Sequence, residues 1–234
     1  MKKYFLAICL MFHIGFLVSQ ERRSFETNFY IERMEYFRQH PLEQSQIIFL
    51  GNSLTQGGRW HEFFPNHRTA NRGIVGDNTE GILARLDEII DAKPKKLFIL
   101  TGTNDVSQDL DNDYIINNMR QIVRRVQAGS PETEIFWQSV LPINNDFGRF
   151  QRMIGKEEQM LDLNRRIRKM SEEEGIQFID LFPLLANDEG KLDPEFTTNG
   201  LHINASGYQI WVEKIREFVE RTKSQESRTK TCGS

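Results

Sequence analysis

A chain of 234 residues holds one sizeable hydrophobic core and falls short of two full domains. Apolar residues make up 38% and charged residues 27%, which excludes a disordered chain. The net charge of −3, with no long basic block, gives no case for nucleic acid or an anionic membrane as partner. The histidines are scattered without paired spacing, and of Cys9 and Cys232 only Cys232 remains once an N-terminal signal is removed, so neither a metal centre nor an internal disulfide is expected in the mature chain.

Met1-Lys2-Lys3 precedes an apolar stretch from Tyr4 to Val18, interrupted by His13. A basic start and an apolar run too short for a comfortable span predict a secretory signal peptide, with cleavage expected near Ser19 or Gln20. An uncleaved anchor and lipid attachment at Cys9 are the alternatives, and Ile8 is too large for the second. The expected organisation is a signal peptide at 1–20, one domain at 21–222 and a polar tail at 223–234. The mature chain is then exported to a bacterial periplasm or secreted, without stable membrane association.

Ser24 to Arg38 carries Phe25, Phe29, Ile31, Met34 and Phe37 among polar residues and predicts a helix on the domain edge, ended by Pro41. Strands are predicted at Ile47–Gly51, Arg68–Asn71, Leu97–Thr101, Glu134–Ser139 and Ile176–Leu181. Three of them are continuously apolar, as strands buried on both faces are. Between and after them run helical stripes: Ile82, Leu83, Leu86, Ile89, Ile90; then Ile116, Met119, Val123, Val126; then Met160, Leu163, Ile167, Met170; and last Tyr208, Trp211, Val212, Ile215, Phe218, Val219. This alternation predicts a three-layer α/β/α sandwich around a five-stranded parallel sheet.

In such sheets the ligand lies beyond the C-terminal strand ends. Ser53, Gly76 and Asn104 all follow strand ends, and His202 precedes the last helix, so they can share one rim. The loop from Pro142 to Gly155, with Phe147, Phe150 and Met153, also follows a strand end. It is either a substrate-binding flap or a plain connection. Trp60, Phe63 and Phe64 either line a site or pack beneath it.

A serine hydroxyl needs a base to become a nucleophile, and histidine is the usual one. Taken singly, Ser53 reads as a helix cap, Asn104 as a turn former and His202 as a partly buried histidine. Their conjunction carries more. Gly51-Asn52-Ser53-Leu54 resembles the first block of the SGNH (GDSL) esterases and lipases. Asn71-Arg72-Gly73-Ile74-Val75-Gly76-Asp77-Asn78-Thr79 is similar to the second, Gly102-Thr103-Asn104-Asp105 to the third, and Asn199-Gly200-Leu201-His202-Ile203-Asn204 to most of the last. The blocks stand in family order across nearly the whole mature chain.

The resemblance implies a flavodoxin-like SGNH fold, Ser53 as nucleophile and His202 as base. It implies an oxyanion hole from the N–H groups of Ser53 and Gly76 and the amide of Asn104, with no cofactor. Asn52 replaces a frequent aspartate of the first block, a neutral exchange. Asn199 stands where the family places the acid that orients the histidine. Three arrangements follow: Asn199 itself serves, Asp193 or Glu195 substitutes, or a Ser–His dyad works with a backbone carbonyl. The expected function is removal of short acyl groups, acetyl foremost, from a carbohydrate or related small-molecule ester. A lysophospholipase or thioesterase, and a non-catalytic glycan-binding module, are the alternatives.

Overall fold

A computed structural model describes residues 25–221, so the expected signal peptide and polar tail lie outside the described residues. In chain order the helices are α1 (Asn28–Gln39), α2 (Ser53–Gly57), α3 (Trp60–Phe63), α4 (Thr79–Ala84), α5 (Leu86–Asp91), α6 (Thr103–Ser107), α7 (Asn112–Gly129), α8 (Glu157–Glu173), α9 (Phe182–Leu185) and α10 (Ala205–Glu220). The strands are β1 (Ile47–Gly51), β2 (Thr69–Gly73), β3 (Lys96–Leu100), β4 (Glu134–Gln138) and β5 (Gln177–Ile179). They form one parallel sheet in the order β2-β1-β3-β4-β5, the expected three-layer sandwich.

The continuous apolar runs of the central strands feed two cores, because successive side chains leave a strand on opposite faces. Ile48, Leu50, Leu97, Ile99, Ile135 and Trp137 pack with residues of α4, α5, α7 and α8. Phe49, Phe98 and Phe136, in register across β1, β3 and β4, stack at 5.1 and 4.6 Å on the face covered by α10. Trp60 lies parallel to Phe49 at 4.0 Å and is 1% exposed; Phe64 is buried beside it, so these rings pack beneath the site.

Several boundaries differ from the periodicity, each for a local reason. Thr27 caps α1 by accepting from the N–H of Tyr30, so the helix begins after Phe25, and Phe29 and Ile31 face solvent. β3 begins one residue earlier, at Lys96, whose buried ammonium donates to the carbonyls of Phe218 and Arg221 at the end of α10. β2 is an edge strand and needs no apolar run; its Asn71 amide instead donates to the carbonyls of Thr55, Gln56 and Gly58. β5 ends early because the N–H groups of Leu181 and Phe182 turn to Ser139 Oγ. The stripe from Ile82 to Ile90 is split into α4 and α5 at Arg85, whose side chain is drawn inward to Asp77. In α7, Ile115 is fully buried and Ile116 partly. No helix among the described residues is long and apolar enough to cross a membrane.

Candidate functional site

The strand order reverses between β1 and β3, and the crevice that opens there is the ligand position of such sheets. Asn52 follows β1 and caps α2, its Oδ1 accepting from the N–H of Leu54 at 3.0 Å. The cap is therefore Asn52 and not Ser53, which becomes the first helical residue with its hydroxyl available. Ser53 Oγ lies 3.0 Å from His202 Nε2. Gly51 permits this turn: a Cβ there would collide with the carbonyl oxygen of Leu100 on β3 and with Thr55 Oγ1.

Three loops meet at the serine. Gly76, after β2, has φ +79°, a conformation that favours glycine, and open space where a Cβ would stand, so its backbone conformation rather than crowding demands glycine. Asn104, near the start of α6, donates from Nδ2 to the carbonyl of Asp77 at 2.8 Å, which fixes the amide and leaves its second hydrogen for another acceptor. As the first residue of α2, Ser53 has an N–H with no acceptor of its own helix.

Buried carboxylates hold these loops in place. Asp77 takes two hydrogen bonds from Arg85, at 2.9 and 2.7 Å, with both side chains fully buried. Asp105, next to Asn104, accepts from the N–H and the hydroxyl of Thr79, the latter at 2.5 Å. Burial pushes its carboxyl up to about 7, although the Thr79 bonds pull it down.

His202 sits in a tight turn organised by Thr197, whose Oγ1 donates to the His202 carbonyl and accepts from the N–H of Gly200. Asn199 Oδ1 accepts from the backbone N–H of Leu201 at 3.0 Å and of His202 at 2.8 Å. Two donors can face only the oxygen, so the amide nitrogen faces the ring, 3.2 Å from His202 Nδ1. Of the expected alternatives for the third position, Asp193 caps a short turn by accepting from the N–H of Glu195. Neither acid bonds to His202. Burial lowers the imidazole pKa, and no carboxylate raises it.

Ser53, Gly76, Asn104 and His202 line one cleft of about 390 Å³, with Asn199 behind the histidine. The 142–155 segment contributes Arg149, Phe150, Gln151, Arg152 and Met153 to its wall, the position that a substrate-binding flap requires. Phe150 meets His202 edge-on at 5.7 Å, and the N–H of Asn144 donates to the carbonyl of Gly200. Phe147 is outside this wall and packs where a Cβ on Gly200 would stand. Val75, Thr103, Ser107 and Leu201 complete the lining. Sequence reasoning gave none of these a role, and Ser107 carried no signal at all. Val75, Thr103 and Leu201 stand inside the motif blocks, next to Gly76, Asn104 and His202, which is the signal they carried. Among the described residues, no cluster of acidic, histidine or cysteine side chains is arranged to hold a metal.

A model of the GDSL-like Lipase/Acylhydrolase family matches residues 49–210, a span containing every residue of the Ser53–His202 site named above. The chain belongs to this family. Among similar acylhydrolase relatives, the alpha2 subunit of human platelet-activating factor acetylhydrolase IB is 22% identical over 183 residues, covering 76% of this chain and 77% of the relative. The mouse alpha1 subunit is 24% identical over 191 residues, covering 79% of each. Of solved structures, a GDSL-like lipase of Bacteroides thetaiotaomicron superposes with a TM-score of 0.72 at 26% identity, over 82% of this chain and 98% of that one. The acetylxylan esterase Axe2 of Geobacillus stearothermophilus shares the fold, with a TM-score of 0.59 at 19% identity over 77% and 96%.

Proposed function

We propose that this GDSL-family chain is a serine ester hydrolase that removes short acyl groups, acetyl foremost, from a carbohydrate or related ester. The observation that carries this reading is the 3.0 Å approach of Ser53 Oγ to His202 Nε2 in a cleft that also presents Gly76 and Asn104. Ser53 Oγ adds to the ester carbonyl carbon while its proton passes to Nε2. The carbonyl oxygen, now an oxyanion, is received by the N–H groups of Ser53 and Gly76 and the free hydrogen of the Asn104 amide. Collapse expels the alcohol, which takes the proton from His202. Water then attacks the acyl-enzyme by the same route and releases the acid.

Asn199 slows this sequence. Nε2 accepts a proton only when Nδ1 carries the ring hydrogen, and Nδ1 then faces an amide that also donates. Rotating the amide to offer its oxygen strands the part-buried N–H groups of Leu201 and His202, at a cost below the roughly 1–3 kcal/mol of a fully buried group. This arrangement favours a second reading, a glycan-binding module without turnover.

The small cleft, with Val75, Phe150, Met153 and Leu201 as its apolar surface, supports a short acyl group. The name acetylxylan esterase, carried by one structural neighbour, and acetylhydrolase, carried by the curated relatives, support acetyl. Export rests on the sequence from Met1 to Val18, and N-terminal sequencing of the secreted or periplasmic protein tests it. The functional test is release of acetate from acetylated xylo-oligosaccharides beside release of fatty acid from a lysophospholipid. Acetate release abolished by Ser53→Ala is expected. Preference for the lipid overturns the acetylesterase reading, and sugar affinity without turnover establishes the binding module.

A further inference from the structure

The cleft carries a charge that the reaction does not use. Arg149 and Arg152 are its ionisable lining residues besides His202, and no carboxylate lines it. Both are exposed. Every other described arginine has a carboxylate within 4.0 Å or, for Arg33, aromatic rings under its guanidinium. Among the described residues, Arg149 and Arg152 have neither. Arg152 feels Asp109, but that carboxylate is taken at 2.6 Å by Lys156. A chain of net charge −3 has acidic groups to spare, so two arginines without a carboxylate partner on the wall of the serine's cleft are not the overflow of a basic protein. The segment that bears them is held: Asn145 Nδ2 donates to the carbonyl of Met153 at 3.0 Å and Gln151 Nε2 to that of Gly148 at 2.8 Å.

We propose that the substrate is an ester carrying an anionic group, a carboxylate or a phosphate, which Arg149 and Arg152 receive while the scissile carbonyl sits at Ser53. The inference rests on the ester-hydrolase reading above. A guanidinium presents a planar fork of donors that matches both oxyanions, and two on one wall select against neutral and cationic esters. Because the groups are exposed, the selection weakens as salt screens them.

The test compares kcat/KM for 4-acetoxybenzoate with its methyl ester, and for 4-acetoxyphenyl phosphate with its diethyl ester, each divided by its spontaneous alkaline hydrolysis rate. The expected result is a preference for the anionic partner of about tenfold or more at low salt, corresponding to about 1.4 kcal/mol. It declines in ~0.5 M salt and collapses toward unity in Arg149→Gln/Arg152→Gln. The larger of the two preferences identifies carboxylate or phosphate as the source. Equal or better turnover of the neutral esters, or a preference that survives the double substitution, overturns the proposal. Calorimetric titration of Ser53→Ala with the same pairs separates this inference from the hydrolase reading. If no ester is turned over, the hydrolase reading has failed, while tighter binding of the anionic partner that needs both arginines still supports the site. Indifferent binding overturns it.

Discussion

Asn199 turns its amide nitrogen, not its oxygen, toward His202: Nδ2 lies 3.2 Å from Nδ1 because Oδ1 is committed to the N–H groups of Leu201 and His202. An aspartate in the same place would accept from all three donors at once. The exchange of one atom thus reverses the hydrogen bond that sets the imidazole tautomer.

The reversal has a signature in the pH profile. In the proposed mechanism neutral His202 is the active form, so activity is present above its folded pKa and lost as pH falls through it. Burial alone places that pKa below the ordinary 6.5. Asn199→Asp puts a carboxylate beside the imidazolium and moves the acid limb of kcat/KM to higher pH. A pH–rate series on both proteins checks this, and coincident limbs refute it.

In the proposed mechanism Asn104 contributes one donor to the developing oxyanion, and its loss in Asn104→Ala is expected to lower kcat by about 10²–10³-fold with little change in KM. The same nitrogen also holds the Asp77 carbonyl, so the melting temperature is recorded beside the rate. A kcat within a few-fold of the native value would remove Asn104 from the site.

Asp105 links stability to pH. Its folded pKa, about 7, lies above the ordinary 3.8, so the folded state binds its proton more tightly than the unfolded chain does. Its contribution is fully present below pH 3.8 and is lost as pH rises toward 7, at about 1.4 kcal/mol per unit of separation. Denaturant melts of the native protein and Asp105→Asn across pH 4–7 should show a stability difference that shifts in favour of the variant as pH rises. A constant difference would show that the carboxyl titrates normally.

Trp60 distinguishes packing from ligand binding. Stacked on Phe49 and 1% exposed, it is expected to cost about 3–5 kcal/mol of stability as Trp60→Ala. Its indole also donates to the Thr55 carbonyl at 2.9 Å, inside the helix that carries Ser53. Trp60→Phe should lower the melting temperature while leaving KM for sugar esters nearly unchanged. A large rise in KM would make the ring a sugar platform after all.

The parts legible in the sequence are those where one pattern answers to one force. β1 and β3 read as strands because both faces are buried, and α8 reads cleanly because Met160, Leu163, Ile167 and Met170 all face the core. The site was legible because Ser53, Gly76 and Asn104 follow strand ends, His202 precedes the last helix, and all four stand in blocks that resemble one family in its order. What escaped depends on distant partners. Nothing near Arg85 announces that Asp77 will draw it inward and split a helix, and nothing in the 142–155 segment announces that Asn144 will bond Gly200 and swing Arg149 and Arg152 into the cleft wall. The Asn199 substitution was visible, but its amide direction is fixed only by the backbone donors of the folded turn.

The measurement that bears most directly on the account is kcat/KM for p-nitrophenyl acetate with the native protein, Ser53→Ala and Asn199→Asp side by side. A measurable native rate is expected, with its loss in Ser53→Ala and a gain of about 10²-fold or more in Asn199→Asp, within the roughly 10⁴-fold that the reverse exchange costs a serine protease. A native rate that Ser53→Ala leaves unchanged would contradict the hydrolase reading.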